Sequence, residues 1–256
     1  MMYSFKRIFL VMAAAFAGIV SYAQVTTSSL GGRVVDENGE PVPGAAIVAT
    51  HTPSGTVYGV ITNLDGRYTI QGMRTGGPYT VEVSSLGYQT VSNTDVTLQL
   101  GELYNLDATL RTSTEQLNEV VVVASPTSKF AAVQKTGATT NISNKEMMVL
   151  PSAYRDIQDM AKLSPYAGSG MSLAGSDGRM TNFTVDGANF NNNFGLNDNL
   201  PGGGNPISID AIEEMQVAVS PFDVRQSNFI GGGINAITKS GTNTFKGSAY
   251  VYHRNE

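Results

Sequence analysis

The sequence predicts a mainly β protein in two parts, an antiparallel β-sandwich followed by an α+β domain. Three observations predict it. From Leu30 to Leu110, short runs of β-branched and aromatic residues recur between Gly, Pro and Asn/Asp clusters, the signature of short paired strands. Helical periodicity is confined to a stretch between Ser143 and Pro165. The chain has 256 residues, 41% of them apolar and 28 of them glycine, which suits two modest domains rich in turns. The charged share is 14% and the formal net charge is -5, which excludes a general nucleic-acid binder with a basic face. Cysteine is absent, so disulfides, thiolate metal sites and a cysteine nucleophile are excluded.

The N-terminus comes first. Lys6 and Arg7 precede an apolar run from Ile8 to Val20, and Ser21-Tyr22-Ala23 comes after it. Positive charge, a short apolar core and small residues before the cut form a secretory signal peptide, residues 1–23. The run is short for a span of about 20 residues, so an exported protein is expected.

The first domain is expected over 24–111. An Asn38-Gly39 turn is followed by Pro41 and Pro43. In TVYGVITNLDGRYTI, Asp65-Gly66 lies between two β-rich runs and predicts a hairpin. Tyr79, Val81 and Val83 alternate with Thr80, Glu82 and Ser84, placing the first three on one face. LQLGELYNLDATL alternates similarly. His51, between Thr50 and Thr52, reads as a solvated strand-end residue, and Asp36, Asn38 and Asp65 read as Asx-turn residues in preference to calcium ligands.

These residues also resemble a known family. Gly32-x-Val34-x-Asp36-x-x-Gly39-x-Pro41-Val42-x-Gly44-Ala45-x-Ile47, then Thr62-x-x-Asp65-Gly66-x-Tyr68-x-Ile70, then Tyr79-x-Val81 and Gly87-Tyr88 are similar to the carboxypeptidase regulatory-like domain. The resemblance implies a transthyretin-like sandwich. It implies no peptidase activity, since the domain is an accessory to many proteins. The residues agree: zinc catalysis needs about three ligands, and His51 and His253 stand near opposite ends without metal-site spacing.

Residues 112–128 form the joint. Four valines, Val120 to Val123, favour a strand, and Ser125-Pro126 ends it. That strand is either the last of the sandwich, the first of the next domain, or an exposed segment that adds to a partner's sheet. Leu117, Asn118, Glu119, Val120, Val121, Val122 and Val123 resemble the Ton box of TonB-dependent receptors. The resemblance implies binding to a TonB-type periplasmic protein that transduces energy.

The second domain is expected over 129–244. Ser143 and Glu146 have capping-box spacing. In SAYRDIQDMAKLSP, Tyr154, Ile157 and Ala161 form an apolar stripe with Met160 beside it, and Asp156 and Asp159 lie outside, predicting a short amphipathic helix ending near Pro165. NFTVDG and EEMQVAVSP read as strands, with Met215, Val217 and Val219 on one face. The Asn- and Gly-rich stretch between them reads as a flexible loop. The order of Asp156-Ile157, Phe183-Thr184-Val185-Asp186-Gly187, Ile209-Asp210-Ala211-Ile212-Glu213-Glu214-Met215-Gln216-Val217 and Gly231-Gly232-Gly233-Ile234-Asn235-Ala236-Ile237-Thr238-Lys239 resembles the plug domain of TonB-dependent outer-membrane receptors. The Asn-rich insertion and SPFDVRQSNF are similar to the Oar-like branch.

In that family the plug is succeeded by a barrel. Phe245 to Tyr252 alternate in kind and read as its first strand, residues 245–256 being its start. A barrel of about 22 strands at about 10 residues each needs roughly 220 residues, so the chain is not expected to form its own pore; it reads as a fragment of a longer receptor, an early-terminated product or an excised portion. The resemblance implies the outer membrane as location, reached through the missing barrel, an unknown ligand, and a plug that gates the pore. The alternatives are an Oar-like structural or adhesive surface protein, or a periplasmic accessory module that binds carbohydrate or peptide.

No catalytic set emerges. No serine has the G-x-S-x-G setting, and Gly168-Ser169-Gly170 and Gly202 to Gly204 lack the lysine of a phosphate loop. Glu213 and Glu214 point to opposite sides of a strand, which suits no carboxylate dyad. No enzyme activity, cofactor or metal is expected.

Overall fold

The computed structural model describes residues 25–113, 121–124, 138–149, 155–192, 200, 205–220, 226 and 228–247, with the backbone alone at 121–124. The signal-peptide residues, the predicted helix's Tyr154, most of SPFDVRQSNF, His253 and the segment after Gly247 lie outside these.

The mainly β expectation holds. Residues 25–113 and 121–124 form a sandwich of two sheets. One contains β1 (Ser28–Asp36), β4 (Arg67–Met73), β7 (Leu103–Asn105) and β8 (Ala108–Leu110), with β4 on one side of β1 and both β7 and β8 on the other. The second runs β3 (Thr56–Ile61), β2 (Ala46–His51), β5 (Gly76–Ser84), β6 (Val91–Leu98) and β9 (Val121–Ala124). Alternation explains the core. Tyr79, Val81 and Val83 are fully buried, while Glu82 between them is exposed. They meet Leu30, Val34, Ile47, Ala49, Tyr68 and Leu110 from neighbouring strands.

Three details correct the local reading. Asp65-Gly66 forms a turn, with the Gly66 N–H donating to the Asn63 carbonyl at 3.0 Å, but it closes no hairpin. β3 pairs with β2 and β4 pairs with β1, so the turn carries the chain from one sheet to the other. Turn chemistry fixes the local bend and leaves the partner strand open. The sandwich is also not wholly antiparallel: β7 and β8 run parallel to β1, and β9 runs parallel to β6. LQLGELYNLDATL is therefore no single alternating strand, but two three-residue strands after a turn at Leu100-Gly101. Finally, His51 ends β2 yet is 6% exposed. It shares the inward phase of Ile47 and Ala49, lies 4.9 Å from the Tyr79 ring and holds Ser54 Oγ at 2.6 Å through Nδ1. Burial, then the Arg74 charge, lowers its pKa and favours the neutral ring.

Thr62 explains why its motif position takes a hydroxyl. Buried, it accepts from the Ala45 N–H at 2.9 Å and donates to the Val42 carbonyl at 2.7 Å. Thr62→Val keeps the shape and strands both groups. The expected loss is about 2–3 kcal/mol, read by urea denaturation; an unchanged midpoint would refute this account. Asp36 shows the expected Asx geometry, Oδ1 accepting from the Asn38 and Glu40 N–H groups at 2.9 and 2.8 Å.

The second domain centres on a five-stranded sheet. Its strands are β10 (Ala138–Ser143), β11 (Asn182–Val185), β12 (Ala188–Asn189), β13 (Ile212–Val219) and β14 (Gly232–Thr238), arranged β10-β13-β14-β11-β12. Among the described residues two short α-helices accompany it, α1 (Asn144–Val149) and α2 (Ile157–Ala161). Met147, Ile157 and Met160 pack with Phe183, Met215, Val217 and Ile234. The capping box forms: the Ser143 N–H donates to Glu146 Oε2 at 2.8 Å. The second helix is shorter than the apolar stripe suggests, because Asp156 is its N-cap, accepting from the Gln158 N–H at 3.2 Å. Residues 245–247 form no strand, and Phe245 is exposed.

Candidate functional site

Two places carry functional interest, the joint and the seam between the two parts of the chain. At the joint, β9 lies beside β6 with Val121, Val122, Val123 and Ala124 opposite Val91, Ser92, Asn93 and Thr94. A run of β-branched residues favours the extended backbone, and the open β6 edge supplies its partner. Of the candidate partner-binding residues, Val121, Val122 and Val123 stand in β9. Leu117, Asn118, Glu119 and Val120 lie outside the described residues. Beside this edge is a cavity of about 320 Å³, lined by Gln89, Val91 and Asn93 from the β6 side and by Asp107, Thr109 and Arg111 from the β8 side. Asp107 Oδ1 already accepts from the Arg33 N–H at 2.7 Å.

The seam is built on a polar row. Asn141 of β10 faces Gln216 of β13, Gln216 faces Asn235 of β14, and Asn235 faces Thr184 of β11, so four polar residues cross the sheet in one line. Gln216, Asn235 and Thr184 are buried, and buried polar groups need partners. Gln216 Nε2 donates to Asn141 Oδ1 at 3.1 Å and Thr184 Oγ1 to Asn235 Oδ1 at 2.9 Å. The remaining donors reach the sandwich. Gln216 Nε2 donates to the Leu100 carbonyl at 3.0 Å, Asn235 Nδ2 to the Val25 carbonyl at 2.7 Å, and Asn141 Nδ2 to Glu102 Oε1 at 3.1 Å. In return the Leu100 N–H donates to Glu214 Oε2 at 3.0 Å. The Leu100 side chain, fully buried, packs with Val25 and Ile237 in a cluster separate from both main cores. Sequence reasoning missed this seam. Its trace is Gln216 and Asn235, each set inside an otherwise apolar strand.

Residues in and beside the quoted motifs make their own contacts. Asp186, in the turn after β11, accepts from the Thr238 N–H at 2.9 Å and from its hydroxyl at 2.7 Å. Arg155 pairs with Asp210 at 2.7 Å with both side chains largely buried. Hydrogen bonds from Arg179 hold the pKa of the Asp177 carboxyl down to about 2. Glu213 and Glu214 form no dyad: one reaches Gly76 and the other the Leu100 N–H. Among the described residues no group of three His, Asp or Glu side chains is placed to hold a metal, and no helix is long and apolar enough to cross a membrane, which says nothing of strands.

Comparison with known proteins adds to this geometry. Residues 29–111 match the carboxypeptidase regulatory-like domain. The TonB-dependent transporter Oar of Myxococcus xanthus is 26% identical over 253 residues, covering 94% of this chain and 23% of that protein. The TonB-dependent receptor SusC of Bacteroides thetaiotaomicron is 31% identical over 55% of this chain and 12% of its own length. A TonB-dependent receptor of Formosa agariphila is 30% identical over 47% of this chain and 10% of its own. The chain thus spans less than a quarter of the length of these relatives.

Proposed function

We propose that this chain is the N-terminal portion of a TonB-dependent receptor, supplying the periplasmic sandwich, the partner-binding joint and the plug of an outer-membrane protein. The observation that carries this reading is the match to the Oar transporter along 94% of the chain, across sandwich, joint and second domain together. The joint, Leu117 to Val123, recruits a TonB-type periplasmic protein by strand addition, where main-chain hydrogen bonds give affinity. The plug, residues 129–244, gates a barrel that begins near Phe245. A pull on the joint reaches the plug through the chain itself and through the seam, so force applied to the partner rearranges the pore's filling and admits the ligand.

The interaction is tested by capturing the chain, after its leader, on an immobilised TonB C-terminal domain. Binding is expected, and deletion of Leu117–Val123 is expected to weaken it about 100-fold or more, since strand addition supplies most of the affinity. Binding that survives the deletion would sink the assigned contact.

A further inference from the structure

Part of the joint is paired within the sandwich. Its residues 121–124 are the outermost strand of the sandwich's second sheet, paired in register with Val91 to Thr94. Two features of that pairing bear on a partner that takes the same residues as an added strand. First, β6 uses the main-chain groups along one side of the segment. Second, β9 extends one sheet of a two-layer sandwich, so one face of the strand looks toward the layer that contains β8, where Thr109 and the flanking Asp107 and Arg111 line the adjoining cavity. Strand addition reads alternate side chains in pockets above and below the receiving sheet. A strand lodged at this edge has sandwich on one of those faces.

We propose that the β6 edge is a resting-state acceptor for the joint and that it competes with the TonB-type partner for residues 121–124. This rests on the reading of the joint as the partner's binding segment. The partner binds chains in which β9 has left the edge, and Val91 to Thr94 are then left unpaired on that side. The pairing is suited to release. It is four residues long and parallel, the weaker of the two sheet geometries per residue. A few net hydrogen bonds, offset by the cost of ordering the segment, bias the equilibrium by about tenfold. A bias of that size lowers the partner's apparent affinity by about the same factor.

The absence of cysteine makes a direct test available. In the whole chain after its leader, Ser92→Cys with Val122→Cys places thiols at paired register positions, where a disulfide can close. Thr50→Cys with Thr80→Cys, at the paired positions of β2 and β5, is the control for oxidation. Both pairs are expected to cross-link under mild oxidant. The cross-linked Ser92/Val122 variant is expected to lose at least about 100-fold in affinity for a purified TonB C-terminal domain, with recovery on reduction, while the control pair binds equally in both states. Failure of the Ser92/Val122 pair to cross-link when the control does would overturn the resting pairing. Equal binding by the locked and reduced forms would overturn the competition, because the partner would then be adding to β9 in place. If the reduced variant and the unsubstituted chain both fail to bind while the cross-link still forms, the partner assignment itself has failed, and the competition with it.

Discussion

Gly32→Ala is expected to destabilise the sandwich by about 3 kcal/mol and lower its melting temperature by roughly 10–20 °C. A Cβ built at Gly32 would lie 2.1 Å from the Leu106 carbonyl oxygen and 2.6 Å from its carbon. These are backbone atoms, and they are held in place from several sides. The Leu106 N–H donates to the Gly31 carbonyl at 2.7 Å. The Leu106 oxygen accepts from the Tyr68 hydroxyl, also at 2.7 Å, and Tyr68 is the cross-strand partner of Gly32. The next residue, Asp107, accepts from the Arg33 N–H. The segment that leads from β7 to β8 therefore cannot retreat from a methyl group without losing these bonds, and the buried tyrosine would lose its acceptor. A control in the same sandwich separates this collision from the general effect of adding a methyl. Gly59 is exposed on β3 and its added Cβ would meet only Ile47 O, at an ordinary 3.8 Å. Gly59→Ala is expected to change stability by less than about 0.5 kcal/mol. Thermal unfolding of both variants by circular dichroism decides the matter; equal effects would show that the Leu106 approach is not what Gly32 serves.

The second large effect is expected at the seam. Leu100→Ala should cost about 2–4 kcal/mol of the contact between sandwich and second domain, the range for emptying a fully buried leucine site. Leu100 packs with Val25 and Ile237 and not with the sandwich core. The loss should therefore appear where the two parts meet, with the sandwich's own melting little changed. The Leu100 amide reports on it directly, since it donates to Glu214 across the seam. Its hydrogen exchange should accelerate about 30-fold or more, while the amides of β5 stay protected. An unchanged exchange rate at Leu100, or an equal fall in protection throughout the sandwich, would contradict this.

The elements that could be read from the sequence are those whose cause is local. Alternation placed Tyr79, Val81 and Val83 inside, and the same period gave Met215, Val217 and Val219 a shared face. The Ser143 and Glu146 spacing gave a cap whose bonds lie within four residues. What escaped was set by partners far along the chain. Nothing within residues 62–66 specifies that β3 and β4 join different sheets, and nothing in the period of β7 and β8 specifies that they run parallel to β1. His51 was legible in phase with Ile47 and Ala49, but the polar neighbours Thr50 and Thr52 suggested solvent. The polar row escaped for a related reason. A strand with Gln216 between Met215 and Val217 looks half-exposed, and only the sandwich lying over that face makes it buried. At the joint, the valine run signalled a strand, while its mate, β6, lies about thirty residues upstream.

The seam grips the sandwich mostly by its peptide groups. Glu214, Gln216 and Asn235 engage the N–H of Leu100 and the carbonyls of Leu100 and Val25, atoms that every residue except proline possesses in full. Fitting a different sandwich onto this platform requires the same chain path at two points and a small apolar side chain cluster, and places few demands on sequence elsewhere. The join between the two parts is thus specified by the course of the backbone at Val25 and Leu100 more than by the side chains displayed over the rest of the sandwich.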